Sequence, residues 1–291
     1  MLNRLGVFVC VLILLPLLAN LLAAALPEWS AFSVMPLAPL WGVLASALLV
    51  LWLADWRQGR HDGRSLLHLQ RAYFLALAVS SALLGWLLAY LNLFAESWLV
   101  PATHDFSSGL LQTLIFALLA PLVLLVRTAF LAQAGWLKLL AGLSALHWLS
   151  RPAAAHALLT LALLGLTVGS VWPTSAFWLL WTAPLVLLVG LQLLWHESTV
   201  FDGVTQGDWG RVIGGAVSGL IVGNLLTLAF RLGGGTLIVQ LPNAAFTQLG
   251  YALFGLLCLQ LSDVIAEFWR GKTRAELFPK KPFPVSVVVK K

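Results

Sequence analysis

Residues 110–130 read LLQTLIFALLAPLVLLVRTAF, a run of twenty-one positions with a single ionisable side chain, Arg127. A helix needs about 20 mainly apolar residues to cross the hydrocarbon core of a bilayer. Inside that core every backbone polar group has to be satisfied within the protein, which leaves helices or closed barrels. Barrel strands are segments of about ten residues with alternating polarity. A continuous run of this length is therefore read as a membrane-spanning helix.

The same reading extends outward. The chain is 60% hydrophobic and 10% charged, with a mean hydropathy of +0.94, where a soluble domain carries roughly 25% charged residues. Eight apolar runs are expected to be transmembrane helices: 5–26, 39–56, 72–94, 110–130, 153–172, 177–195, 212–232 and 246–269. The expected fold class is an all-α membrane protein. The first run exceeds the roughly 7–15 residues of a signal-peptide core, so it is read as a retained helix.

Cytoplasmic loops keep Lys and Arg. With the N-terminus inside, sixteen of the seventeen Lys and Arg fall on the cytoplasmic side, and only Arg231 falls outside. The expected localisation is a bacterial-type inner membrane, multi-pass, with both termini cytoplasmic. The net charge of +6 is this asymmetry summed over the chain and implies no nucleic acid. The basic tail over 271–291 is expected to rest on anionic lipid. Trp29, Trp56, Trp98, Trp172, Trp195 and Trp269 stand near predicted helix ends, as an interfacial belt does. Cys10 and Cys258 both lie within helices, which gives neither a disulfide framework nor metal-ligand spacing. No metal or cofactor is expected.

Two stretches are written twice. Residues 30–40, SAFSVMPLAPL, and 175–185, SAFWLLWTAPL, agree at six of eleven positions at an offset of 145. Residues 78–88, AVSSALLGWLL, and 216–226, AVSGLIVGNLL, agree at six of eleven at an offset of 138. Weaker echoes link His61-Asp62-Gly63 to Phe201-Asp202-Gly203, and Pro101 and Phe106 to Pro242 and Phe246. Their shared order predicts a duplication: a four-helix repeat over 1–132, an interfacial linker over 133–152 and a second four-helix repeat over 153–270. Four is even, so the repeats would be parallel, related by an axis along the membrane normal. The SAF-x5-APL motif would mark the outer turn of each unit, with Pro39 and Pro184 in the first turn of a helix, where the missing N–H is no loss. Gly215, Gly219 and Gly223, with Ser218 beside them, form a small-residue stripe of the kind that lets helix backbones approach in lipid. Ser81 and Gly85 keep two of its places. These residues are expected to pack each third helix within its own bundle, or the two third helices on each other.

Ionisable residues inside a membrane are costly and therefore functional candidates. They are Arg127, His156, Asp263 and Glu267, all toward the cytoplasmic ends of their helices. Arg270 and Arg274 follow Asp263 and Glu267 at helical spacing, so local pairing can neutralise both carboxylates, and Arg127 can snorkel to the interface. The functional reading is a polar pocket of Arg127, His156 and Asp263 near the inner leaflet, with Asn224 as a further substrate-pocket candidate. Residues 196–211, HESTVFDGVTQGDWGR, form the richest polar loop, carrying Glu197, Asp202, Asp208 and Arg211. The chain has no glycine-rich phosphate loop and no nucleophile with a base in range, so no catalytic residue is assigned and catalysis is not the expected function.

The expected function is binding or translocation of an uncharged or amphiphilic solute, lipid included, between the two repeats, where duplicated bundles place their sites. The alternative is a non-catalytic membrane anchor or assembly subunit of a larger membrane complex. The corresponding partners are membrane lipids and other membrane subunits.

Overall fold

The computed structural model describes residues 37–62, 67, 70–100, 106–131, 144–145 and 152–269. The first predicted helix, most of the predicted linker and the basic tail lie outside them. The described chain forms seven long helices: α1 (Ala38–Asp62), α2 (Arg71–Ala95), α3 (Phe106–Leu131), α4 (Pro152–Val171), α5 (Pro173–Leu194), α6 (Gly210–Leu232) and α7 (Ala244–Trp269). All seven are long and apolar enough to cross a membrane, which gives the chain the character of a multi-pass membrane protein. The surface agrees. Leu75, Leu83 and Leu93 on α2 are each about 70% exposed, a contiguous apolar face suited to lipid tails.

Two helices depart from the expected boundaries. α1 runs on to Asp62, past the expected end at residue 56, because Arg57, Gln58 and Arg60 are good helix formers and outweigh Gly59. The Asp55 carboxylate then accepts the Leu67 amide at 3.1 Å, which folds the chain back after the helix. α5 begins at Pro173, which occupies its first turn, and bends at Ala176 (φ −118°, ψ 16°). Pro184 therefore lies inside α5 rather than in a first turn, which corrects the expectation for one copy of the motif. Its counterpart Pro39 does stand in the first turn of α1. An interior proline is tolerated in a membrane helix because surrounding groups can satisfy the freed carbonyl.

The helices share one core. α2 packs on α3, α6 on α7 and α4 on α5; α1 packs on α3 and α6, and α5 on α7 and α2; α3 meets α6 and α7, and α2 meets α7. Leu77, Leu122, Val123, Val189, Leu257 and Leu259 are fully buried at these crossings. The small-residue stripes set the closest ones. A Cβ added to Gly219 would stand 2.6 Å from the Gly255 Cα and overlap the Tyr251 carbonyl, and Gly223 receives the Tyr251 ring. Gly85 of α2 receives the Phe116 ring of α3 in the same way. One turn earlier, the Ser81 hydroxyl donates to the Phe116 carbonyl at 2.5 Å and accepts the Ala120 amide at 3.0 Å. A side chain thus inserts into the α3 ladder immediately before Pro121, a recognised cause of helix bending. Each predicted third helix is seated on the helix that follows it, not on the other third helix.

At one end of the bundle two short strands meet. β1 (Trp98–Leu99) follows α2, β2 (Ile238–Val239) follows α6, and they pair antiparallel with Trp98 opposite Val239 and Leu99 opposite Ile238. Asn92 holds β1 against its helix: its side chain accepts the Ser97 amide at 3.1 Å and donates to the Trp98 carbonyl at 2.8 Å.

Candidate functional site: a charged cluster at the opposite end

The end of the bundle away from the strands collects the buried charge. Arg211, in the first turn of α6, forms an ion pair with Asp263, near the end of α7; their side chains keep only 29% and 16% of their exposure. Arg127, on α3, lies within electrostatic range of both. The Nε atoms of Arg127 and Arg211 and Oδ2 of Asp263 are buried without a hydrogen-bond partner among the described residues. A guanidinium stays charged in any protein environment. Two positive charges therefore share one adjoining carboxylate. The next carboxylate acting on Asp263 is Asp202, whose Oδ1 accepts the Thr199 hydroxyl at 3.2 Å.

The loop that carries Asp202 closes this end of the bundle. Gly203 (φ 92°) and Gly207 (φ 84°) take left-handed conformations that flank a short 3-10 turn, Val204–Gln206, and such backbone costs glycine least. The two reversals drive Thr199, Val200 and Val204 inward, each 1% exposed or less. The Val200 amide donates to Gln260 Oε1 at 2.8 Å, and Gln260 Nε2 donates to Gln192 Oε1, so loop, α5 and α7 are joined by two amides buried in apolar surroundings. Ser198 donates to Glu267 at 2.6 Å. Asp208 accepts the Gly210 amide at 2.9 Å and ends the loop at the start of α6, where a carboxylate also complements the helix dipole.

The residues singled out from sequence are distributed in three places. Arg127 and Asp263 converge, joined by Arg211. His156 is exposed on α4, a helix that packs on α5 and α2, and takes no part in the cluster among the described residues. Asn224 is exposed on α6 and exchanges two hydrogen bonds with Gln248 of α7, at 2.7 and 3.0 Å. Asp263 pairs across helices with Arg211; Arg270 and Arg274, its expected partners along the helix, lie outside the described residues. Gln192 and Gln260 are not among the residues expected from sequence, because the cost of burial in a membrane points first to ionisable groups. Their signal was present: an amide within an apolar span also needs a partner. Arg211 was read as loop and is instead helical.

A separate cavity of about 380 Å³ lies between α5 and α7, nearer the strand end, lined by Phe177, Trp178, Trp181, Phe246, Leu249 and Leu253. The Phe177 ring stands edge-on to Trp181 and Phe246, with centroids 5.1 and 5.6 Å away. Its walls are almost wholly apolar and suit hydrocarbon. No protein-family model, curated protein or solved structure matches the chain.

Proposed function

We propose that the chain is a multi-pass inner-membrane protein of eight spans, built from two parallel four-helix units, that binds or translocates an uncharged or amphiphilic solute, membrane lipid included, between the units. The packing supports the two units. If α1, α2 and α3 correspond to α5, α6 and α7, then α2 on α3 repeats as α6 on α7, α1 on α3 as α5 on α7, α1 on α6 as α5 on α2, and α3 on α6 as α7 on α2. The α3–α7 contact and the β1–β2 pair lie on the axis relating the halves. In that strand pair, residues 141 and 139 positions apart face each other, within the 138–145 offsets of the sequence echoes, as a two-fold axis between equivalent strands requires. Gly85 of α2 receives the Phe116 ring of α3, and Gly223 of α6, 138 positions on, receives the Tyr251 ring of α7. The distribution of Lys and Arg supports cytoplasmic termini, which places the charged cluster at the inner leaflet.

The observation that carries the functional reading is the cluster itself. Arg127 comes from one unit and Arg211 and Asp263 from the other, so polar groups of both halves meet at their seam, within membrane-spanning helices where charge is retained mainly for a ligand or a path. Gentle detergent extraction of the full chain, followed by size analysis and native mass spectrometry, tests this. A single chain or homo-oligomer retaining lipid in stoichiometric amount is expected; a lipid-free chain would contradict it.

One observation favours the alternative, an anchor or assembly subunit. Asn224 and Gln248 present a polar amide pair on the exposed face of α6 and α7, where a partner's helix would shield it from lipid. Stoichiometric co-migration of other polypeptides in the same experiment would support that role.

A further inference from the structure

We infer that Arg127 and Arg211, steadied by Asp263, bind the phosphate group of an amphiphile at the inner leaflet; the inference rests on the reading that the seam between the units takes an amphiphile, and it names the headgroup.

Three observations lead there. First, the ion pairing is uneven: Arg211 has Asp263, whereas Arg127 has no ion-pair partner among the described residues. A guanidinium cannot relieve this by losing its proton. Second, donors are unsatisfied. Nε of each arginine is buried without an acceptor among the described residues, and such groups in a native protein call for a water or ion. Arg211 meets Asp263 through its Nη2, which leaves its Nε edge for another acceptor. A phosphate offers several oxygens and can accept from two planar forks at once. Third, the depth fits a headgroup. Arg127 stands four residues before the end of α3, about 6 Å along a helix that rises 1.5 Å per residue. Arg211 is the second residue of α6. Basic pockets between spanning helices on the cytoplasmic side are sites where phospholipid headgroups bind.

The test uses the full chain in a neutral detergent and native mass spectrometry, with dioleoyl phosphatidate and dioleoyl glycerol added in equal amounts. The two lipids share their tails and differ by the phosphate. Phosphatidate is expected at roughly tenfold higher occupancy, as charge-assisted hydrogen bonds supply. Arg127→Gln should abolish the preference, Arg127→Lys should restore part of it, and Arg231→Gln, at the other end of the membrane, should leave it unchanged. Equal occupancy of the two lipids on the unmutated chain would overturn the phosphate site and leave lipid binding standing. Absence of both lipids would overturn lipid binding as well. The comparison on the unmutated chain needs no variant, so a folding defect in Arg127→Gln leaves the test intact. Displacement of phosphatidate by millimolar inorganic phosphate would assign recognition to the phosphate group alone, and its persistence would assign recognition to the lipid-borne group.

Discussion

Asp263 balances charge carried by two other helices. It holds Arg211 of α6 and acts on Arg127 of α3, so its removal leaves two guanidiniums without their shared carboxylate near the ends of three helices. Breaking a buried pair by deleting one partner costs about 3 kcal/mol at the low end, the appropriate end for side chains that remain partly exposed. Asp263→Asn is therefore expected to lower the thermal unfolding midpoint of the detergent-purified protein, and adding Arg211→Gln should recover part of the loss. An unchanged midpoint in Asp263→Asn would rule out the cluster as a structural unit. Gln260 offers a second test. With Leu in its place, the Val200 amide and the Gln192 side chain lose their partners, a loss of about 1–3 kcal/mol for buried unsatisfied groups, read as increased protease cutting within the 196–209 loop. At this scale the sequence was half legible. The cost of charge in a membrane singles out Arg127 and Asp263, which the fold brings near each other. Spacing along one helix cannot reveal that the partner of Asp263 stands on another, and it gave no reason to look at glutamines.

Among the helices, the α6–α7 crossing is the contact most easily broken. Gly219 and Gly255 touch backbone to backbone, so Gly219→Val has no rotamer that avoids α7. The expected cost is about 1–3 kcal/mol, the range for overpacking, measured by thermal unfolding. Gly109→Ala in the first turn of α3 is the control: nothing lies within 4 Å of the added methyl, and stability should hold or rise slightly. The helices themselves were the most legible feature, since length and hydropathy alone determine a spanning segment. The glycine stripe was legible as a packing face, but its partner was not, because i, i+4 spacing describes one helix surface and says nothing of what lies against it. Pro184 was misplaced for a related reason. The motif matches Pro39 in sequence, while the start of α5 is fixed by Pro173 and the bend at Ala176.

For the molecule as a whole, the proposed two-fold relation brings together features that have no common cause along the chain: corresponding helix contacts, a ring seated on Gly85 and on Gly223, and a strand pair that joins residues 139 and 141 positions apart. It also puts the charged cluster and the strand pair at opposite ends of one seam, which is where a ligand held by both units would sit. The sequence echoes suggest the duplication, but they lie in helices and loops that do not pack on one another, and the proposed seam is marked by other residues: Arg127 with Arg211 and Asp263 at one end, β1 with β2 at the other. The most direct test joins that seam covalently. With Cys10 and Cys258 replaced by Ser, Leu99→Cys and Ile238→Cys should form a disulfide within one chain on mild oxidation in native membranes, because these residues face each other across β1 and β2. Rapid intramolecular cross-linking, with no bond formed when Cys is placed at only one of the two positions, is the predicted result. A pair that stays reduced, or that links two chains instead of one, would contradict two units meeting at this seam.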